Sequence, residues 1–458
     1  MKKILLILFL FSELIFAQNN DTTFVQVHDN LDMTSYGHYK EWGEFPTDGS
    51  FRKVLMHLDL GCASTGCSDW NYTINIFLRH KNGLLDSYLN EAIEDFELGR
   101  AIAPYGAYMN PQSGAYGTNG FDENWTHRFT YDVTDFQHLL KDSVEIDAFY
   151  AGWASGYSVS LNFEFIHGIP PRTPISVRNV YKNGSASYEY LSSNDFEINQ
   201  MPSTKLSTSQ HASNFKLQFI PTGHGQAGEF TPNISYSVNI NNNQVGGDVI
   251  WKDDCGFNAV WPQGGTWIFD RANWCPGEAV PIFNHELTPY VTAGDSVLID
   301  INFSSFNPNG AASYSCAVHF FEFDEPNFVL DAEVVDIISP SLKDQYSRLN
   351  PVCSNPIIKI RNSGTQELTS LTIEYGIDGG TMQSYEWSGS LDFMQEEDVS
   401  LGEIIFNGTS NKFNVIVSPI AFVHTTASSQ NAIDIWWHSA LSNIGSLELE
   451  SFEVASMI

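Results

Sequence analysis

Apolar residues along this chain recur at every second position in short runs, and helical spacing is almost absent. The clearest runs are Val54–Leu60, Thr73–Leu78, Val144–Tyr150 and Tyr157–Ile166, then Phe215–Ile220, Ile234–Ile240, Val297–Phe303 and Cys316–Phe323. Between them stand Gly, Asn, Pro and Asp, the residues that close turns. Such a pattern predicts an all-β protein of antiparallel sandwiches. Proline clusters mark its joints, because proline cannot donate to a ladder. Ile169-Pro-Pro-Arg-Thr-Pro174 separates a first unit, residues 20–168, from a second, residues 175–328, and Glu325-Pro326-Asn327 closes the second. Residues 329–420 read as a separate small β-sandwich, with hairpin chemistry between Pro356–Gly364 and Ser370–Asp378. Residues 421–458, with Trp436 and Trp437, receive no assignment.

Length agrees with several units, since 458 residues exceed what one core holds. The first 18 residues read as a secretory signal: Lys2 and Lys3, an apolar stretch from Ile4 to Phe11, and a small-residue exit at Phe16-Ala17-Gln18. The stretch is shorter than the roughly 20 residues of a membrane span, and no later run is longer. A secreted or cell-surface protein without a membrane span is therefore expected. The net charge of −32 excludes nucleic acid as a partner, because phosphate binding needs clustered Lys and Arg. Six cysteines in an exported chain point to disulfides; Cys62 with Cys67 and Cys255 with Cys275 are the favoured pairs. Cys316 and Cys353 are left to pair or stay free.

Chemistry concentrates in two stretches. In the first unit, Cys62-Ala-Ser-Thr-Gly-Cys67-Ser-Asp-Trp70-Asn71 closes a small loop at the end of a strand and aims an aromatic residue outward. In the second, Gly223-His-Gly225, Glu229-Phe230 and Asp270-Arg-Ala-Asn-Trp-Cys-Pro-Gly277 combine an acid, a cation and aromatic rings. Together with Leu98–Tyr105, Tyr131–Phe136, Trp153 and Gly156–Phe163, these stretches resemble the peptide:N-glycosidase F family, secreted bacterial amidases that remove N-linked glycans from asparagine. The likeness covers residues 50–328. It implies two eight-stranded antiparallel jelly rolls side by side, with the site at their interface. Residues 329–420 resemble the immunoglobulin-like adhesion modules of secreted bacterial proteins.

What the resemblance implies for the site is uneven. Amide hydrolysis needs a base to deprotonate water and an acid for the departing glycosylamine. The family places an aspartate directly after the motif tryptophan and adds two glutamates. The matching positions here are Asn71, Ala151 and Glu229, so one acid of three remains. Asparagine has nearly the shape of aspartate but takes no proton at physiological pH. Asp69, on the other side of Trp70, is a candidate substitute; on an extended segment it is expected to face away from Asn71 unless a bulge re-aims it. Arg271 is expected to polarise the scissile carbonyl, or else to form a structural pair with Asp270. Trp274 is a sugar platform or packing for the Cys255–Cys275 bridge. Trp70 and Trp153 are sugar platforms or core anchors, with the core reading preferred for Trp153.

Three functions remain open: a glycosylasparagine amidase with a rearranged acid set, a non-catalytic binder of glycan or glycopeptide, and a surface protein using the fold as scaffold with the third unit as spacer. An N-linked glycoprotein or glycopeptide is the expected partner; the chain is expected to be a monomer and to need neither cofactor nor metal. A double jelly roll also resembles peptidylglycine hydroxylating monooxygenases, whose copper sites need paired histidines and a methionine. His211 and His224 fall in the second unit, but there is no His-x-His or His-His pair, and no methionine lies between Met201 and Met382. His224, flanked by glycines, reads as a hydrogen-bonded loop residue.

Overall fold

The computed structural model describes residues 22–85, 89–106, 109–110, 115–116, 121, 124–154, 156–181, 186–189, 196–305, 313–341, 343–349, 355–377, 380–404, 410–419 and 447–450. The leader, Cys353 and the paired tryptophans Trp436 and Trp437 lie outside them.

Two four-stranded antiparallel sheets make the first unit. One runs in the order Thr22–Met33, Tyr157–His167, Phe51–Cys62, Thr126–Asp132; the other runs Gly37–Phe45, Asp142–Tyr150, Thr73–Leu85, Glu91–Ile102. Chain neighbours are thus divided between facing sheets, which is jelly-roll winding. Alternation supplies the core: Met56, Leu58, Leu60, Ile74, Ile76, Leu78, Val159, Leu161 and Phe163 all point between the sheets. In the second unit, Ser313–Phe323 pairs with Asn214–His224 on one side and with Pro174–Asn179 and Ala186–Glu189 on the other; Phe283–Glu286 completes that sheet. The facing sheet runs Thr204–Ser207, Ser296–Phe303, Ser235–Ile240, Asn243–Val249. Ser296–Phe303 shows the expected pattern: Val297, Ile299, Ile301 and Phe303 are buried and the residues between them are not. The fold is all-β, as the alternation predicts.

Ser313–Phe323 breaks the alternation. Every residue after Ser313 in it is buried, because one face packs inside the second unit while Phe321 and Phe323 join the core of the first. The two jelly rolls also share a ladder. Val280 N–H donates to Arg100 O (2.8 Å), Ile102 N–H to Glu278 O (3.0 Å) and Gly277 N–H to Ile102 O (2.8 Å). Ile102, Ile220, Trp274, Val280 and Ala317 form a small core across the seam. Inside it the fully buried Arg100 pairs with Glu97 (2.8 Å) and donates to Thr222 Oγ1 (2.6 Å) and Ser315 O (2.9 Å). Lys216 pairs with Asp135 across the same seam.

A third unit follows. Its sheets are Ala332–Ser339, Ile357–Asn362, Glu396–Ser400 and Gln383–Leu391, Leu368–Ile377, Ser410–Pro419, Leu447–Glu450, closed over their own core. The last of these strands comes from the segment the sequence left unassigned. The third unit is not suspended as a spacer. Arg52 of the first jelly roll reaches Asp331 (3.1 Å) and Glu333 (3.2 Å), all three nearly buried, and Lys53 donates to Val335 O (2.9 Å).

Candidate functional site

The site is assembled from two halves that meet at Tyr105. In the first jelly roll, Cys62 is bonded to Cys67, and Gly66 N–H closes the small loop on Ala63 O (2.8 Å). Ser68, next in the chain, is buried; its carbonyl accepts from Gly106 N–H (2.8 Å) and lies 3.2 Å from the Tyr157 hydroxyl. A Cβ on Gly106 or Gly156 would come within 2.3 Å of Ser68, so only glycine permits three segments to close here. Tyr72 O then accepts from Ala103 N–H (2.8 Å), and Thr73 O from Ala151 N–H (3.0 Å). Asn71 and Ala151 therefore stand at the same end of two paired strands, Thr73–Leu85 and Asp142–Tyr150. Neither carries an acid.

Around this end the aromatic side chains are open. Trp70 is 59% exposed and Trp153 80% exposed. The core reading of Trp153 is corrected: its chain position lies past the last paired residue, Tyr150, it is 80% exposed, and among the described residues Tyr36 stacks its ring on it at 5.0 Å and 16°. The expected turning-away of Asp69 is also corrected. Asp69 and Asn71 are two positions apart and share parity, and residues 67–72 are not strand; Asp69 is exposed on the same loop, and its charge helps raise the Tyr157 hydroxyl pKa, after the larger effect of burial.

The second half is closed. Glu229 ends a short helical turn, Gln226–Glu229, entered through Gly225 at φ 73°, where a side chain would be strained. Its Oε1 accepts from Arg271 Nε at 2.7 Å. Arg271 is fully buried and spends its other donors on Phe269 O and on Thr266 O and Oγ1 (both 2.8 Å). Its planar guanidinium lies 5.0 Å from the Phe230 ring and 4.9 Å from the Trp274 ring. Two expectations are corrected here. Arg271 pairs with Glu229 rather than Asp270, and, fully buried, it has no surface to offer a substrate carbonyl. Trp274 is 2% exposed, donates Nε1–H to Gly223 O (2.7 Å) and belongs to the seam core, so it is no sugar platform. Cys255 and Cys275 are bonded beside it, and Cys316 is a buried free thiol.

Electrostatics favour a protonatable Glu229. Burial raises its pKa above the ordinary carboxylate range, against the hydrogen bond and charge of Arg271. His224 accepts or shares a proton with Thr222 Oγ1 at 2.8 Å and stacks over Trp274, and burial followed by the Arg100 charge pushes its pKa down to about 3. It is a neutral packing group. The one compact set of metal-ligand types among the described residues, Asp254, Cys275 and Glu278, is filled otherwise: the sulfur is in a disulfide and Lys252 bridges the two acids at 2.6 and 3.0 Å.

The halves join through residues the sequence reading did not single out. Gln263 Oε1 accepts from Tyr105 N–H (3.0 Å), and Gly265 lies so close to the Tyr105 ring that a Cβ would approach to 2.8 Å. Thr266 follows directly and holds Arg271. Nothing in the local pattern of Gln263 or Thr266 announces this; their roles exist only because the loop folds back.

A pair of jelly rolls sharing one seam, with a half-buried acid on one side and open aromatics on the other, defines a two-domain, interface-site β protein. Comparison with known proteins shows what this class is similar to. A family model described as Peptide-N-glycosidase F, C terminal matches residues 192–318. Peptide-N(4)-(N-acetyl-beta-D-glucosaminyl)asparagine amidase F of Elizabethkingia miricola is 26% identical over 335 residues, spanning 67% of this chain and 82% of that protein. Among solved structures, a crystal structure of a peptide-N(4)-(N-acetyl-beta-D-glucosaminyl)asparagine amidase shares the fold with a TM-score of 0.53 and 21% identity, covering 66% of this chain and 96% of that one. PNGase F, a glycosylasparaginase from Flavobacterium meningosepticum, does so with a TM-score of 0.53 and 20% identity, covering 67% and 96%. The chain is thus similar to peptide:N-glycosidase F over about two thirds of its length, and residues 192–318 match the C-terminal domain of that family. No helix among the described residues is long and apolar enough to cross a membrane.

Proposed function

We propose that this chain is a secreted glycopeptide-recognising member of the family, holding the N-acetylglucosaminyl-asparagine linkage of N-linked glycoproteins at the seam and hydrolysing it poorly. The observation that carries the reading is the asymmetry of the site. Glu229 is retained, locked to Arg271 and joined through Thr266 and Gln263 to Tyr105. At the paired strand ends of the first jelly roll, Asn71 offers shape and hydrogen bonds but no group that takes up a proton, and Ala151 offers only a methyl. In this reading Trp70 and Trp153 present flat apolar faces to sugar rings, Asn71 hydrogen-bonds the saccharide, and Glu229 is the one group able to exchange a proton near the linkage. Arg271 keeps Glu229 in place rather than touching substrate.

Loss of a positioned general base costs roughly 10²–10⁴-fold in rate. The test is direct. A glycopeptide carrying one N-linked glycan is titrated into the purified chain for affinity and incubated for glycan release by mass shift. Binding with release at least about 10²-fold slower than for an acid-complete relative is the expected result. No measurable binding, or release at the relative's rate, sinks it. A second reading, slow hydrolysis with Asp69 as base, is favoured by the exposure of Asp69 on the Asn71 loop. It requires that Asp69→Asn abolish whatever release remains.

A further inference from the structure

The disulfide-closed segment from Cys255 to Cys275 carries Gln263, Thr266 and Arg271, and it is held from three directions. The bond Cys255–Cys275 fixes its ends, Gln263 ties it to Tyr105 of the first jelly roll, and the third unit reaches it through one side chain. Arg348, in the short turn Asp344–Leu349, donates from Nη1 to Gly256 O (2.9 Å) and Asn258 O (3.3 Å), with its guanidinium 5.2 Å over the Trp261 ring. The turn itself is pinned to the first jelly roll, since Asp344 Oδ2 accepts from Arg128 N–H at 2.7 Å. Tyr346 donates to Asp336 Oδ2 (3.0 Å) and Lys343 to Asp336 Oδ1 (2.6 Å), which fixes it to its own sheet.

The segment Arg348 holds leads straight into the site. Asn258 Nδ2 donates to Pro276 O and Asn258 Oδ1 accepts from Val260 N–H (2.8 Å). Gln263 Nε2 donates to Val260 O (2.7 Å) and Pro276 O (2.8 Å), which aims its Oε1 at Tyr105. Thr266, three residues on, holds the Arg271 that holds Glu229. Hydrogen bonds, with the backbone of residues 263–266 between them, therefore connect the third unit to Glu229. About a third of this chain lies outside the length matched by the solved family structures.

We propose that the third unit is a brace for the site, and that Arg348 is a positioning residue which holds residues 256–263 in the arrangement that binds glycopeptide. The binding part of this inference rests on the proposed function; the ordering of the loop does not. Arginine suits the task because its planar guanidinium lies over the Trp261 ring while Nη1 donates to both carbonyls, and a strongly hydrated lysine ammonium stacks less well on a ring.

The experiment uses the full chain as wild type, Arg348→Ala and Arg348→Lys, with amide hydrogen exchange, thermal unfolding and affinity for a single-site N-linked glycopeptide measured on each. Exchange over residues 256–263 is expected to quicken by about tenfold in Arg348→Ala, with the melting temperature of the whole chain little changed. Glycopeptide Kd should rise by about fivefold, with Arg348→Lys recovering less than half of that loss. Unchanged exchange overturns the proposal. So does faster exchange with unaltered Kd, because the brace would then not serve the site. Faster exchange in a protein whose wild type binds no glycopeptide overturns the proposed function and the binding part together, while the ordering of the loop stands. Should Arg348→Ala fail to fold, Arg348→Lys and Arg348→Gln carry the same comparison.

Discussion

The two halves of the site are built on opposite plans. On the second jelly roll the charged groups are sealed: Arg271 is fully buried, its donors go to Glu229, Thr266 and Phe269, and two aromatic rings lie close to its guanidinium. On the first, the loop carrying Asp69, Trp70 and Asn71 is open, and Trp153 projects into solvent backed by one tyrosine. A buried ion pair is costly to alter, because removing one partner strands the other in low dielectric. An open loop tolerates exchange of acid for amide at little cost to folding. Glu229 is thus part of the packing, whereas Asn71 and Ala151 stand at open strand ends where a change of side chain disturbs little.

The sharpest test of that contrast is to restore the open half. Asn71→Asp combined with Ala151→Glu should raise the rate of glycan release from a glycopeptide by roughly 10²-fold or more, with stability within about 0.5 kcal/mol of wild type. No gain would mean that the groove has drifted beyond its acids. Next in size is damage to the closed half. Arg271→Met should cost about 3–5 kcal/mol in denaturant unfolding, because Glu229, Thr266 and Phe269 lose their donor together. A loss below about 1 kcal/mol would show that Glu229 was not held by burial at all.

A pH series addresses the closed half more gently. Burial, the largest cause in each case, lowers His224 and His319 to about 3 and His127 and His138 to about 4. Each folded value lies below the unfolded value of 6.5, so each neutral imidazole contributes its full stability above pH 6.5. As pH falls below that value the unfolded chain takes up protons first, and each histidine costs about 1.4 kcal/mol per pH unit until its folded pKa is reached. Melting temperature should drop steeply from pH 6.5 to 4.5 and be nearly flat from 6.5 to 7.5. His319, wedged among Phe96, Phe136 and Phe321 at the seam, is the one to probe: His319→Gln should make the slope shallower. The smallest expected effect lies in the open half. Trp153→Ala should weaken glycopeptide binding by about five- to tenfold with no change in melting temperature, since an exposed ring contributes contact but no core.

Much of this was legible without coordinates, and for a uniform reason. Strand alternation at Ser296–Phe303 and the two short-range disulfides are local facts, fixed by side-chain identity and by period-two geometry. What resisted was burial at positions where two units meet. Trp153 and Trp274 look equivalent in sequence, yet one is 80% exposed and the other 2%, because only Trp274 has a second domain packed over it. Arg271 stands next to Asp270 but pairs with Glu229, 42 positions away, since a helical turn returns that carboxylate to it. Arg348 gave no signal at all, being a lone cation in an unremarkable turn. The amino-acid sequence by itself determined which strands form and which cysteines pair, because those depend on neighbours along the chain. Tertiary structure alone decided which rings face water, which charges are sealed and which loop Arg348 reaches, because those depend on what covers a surface from outside its own strand.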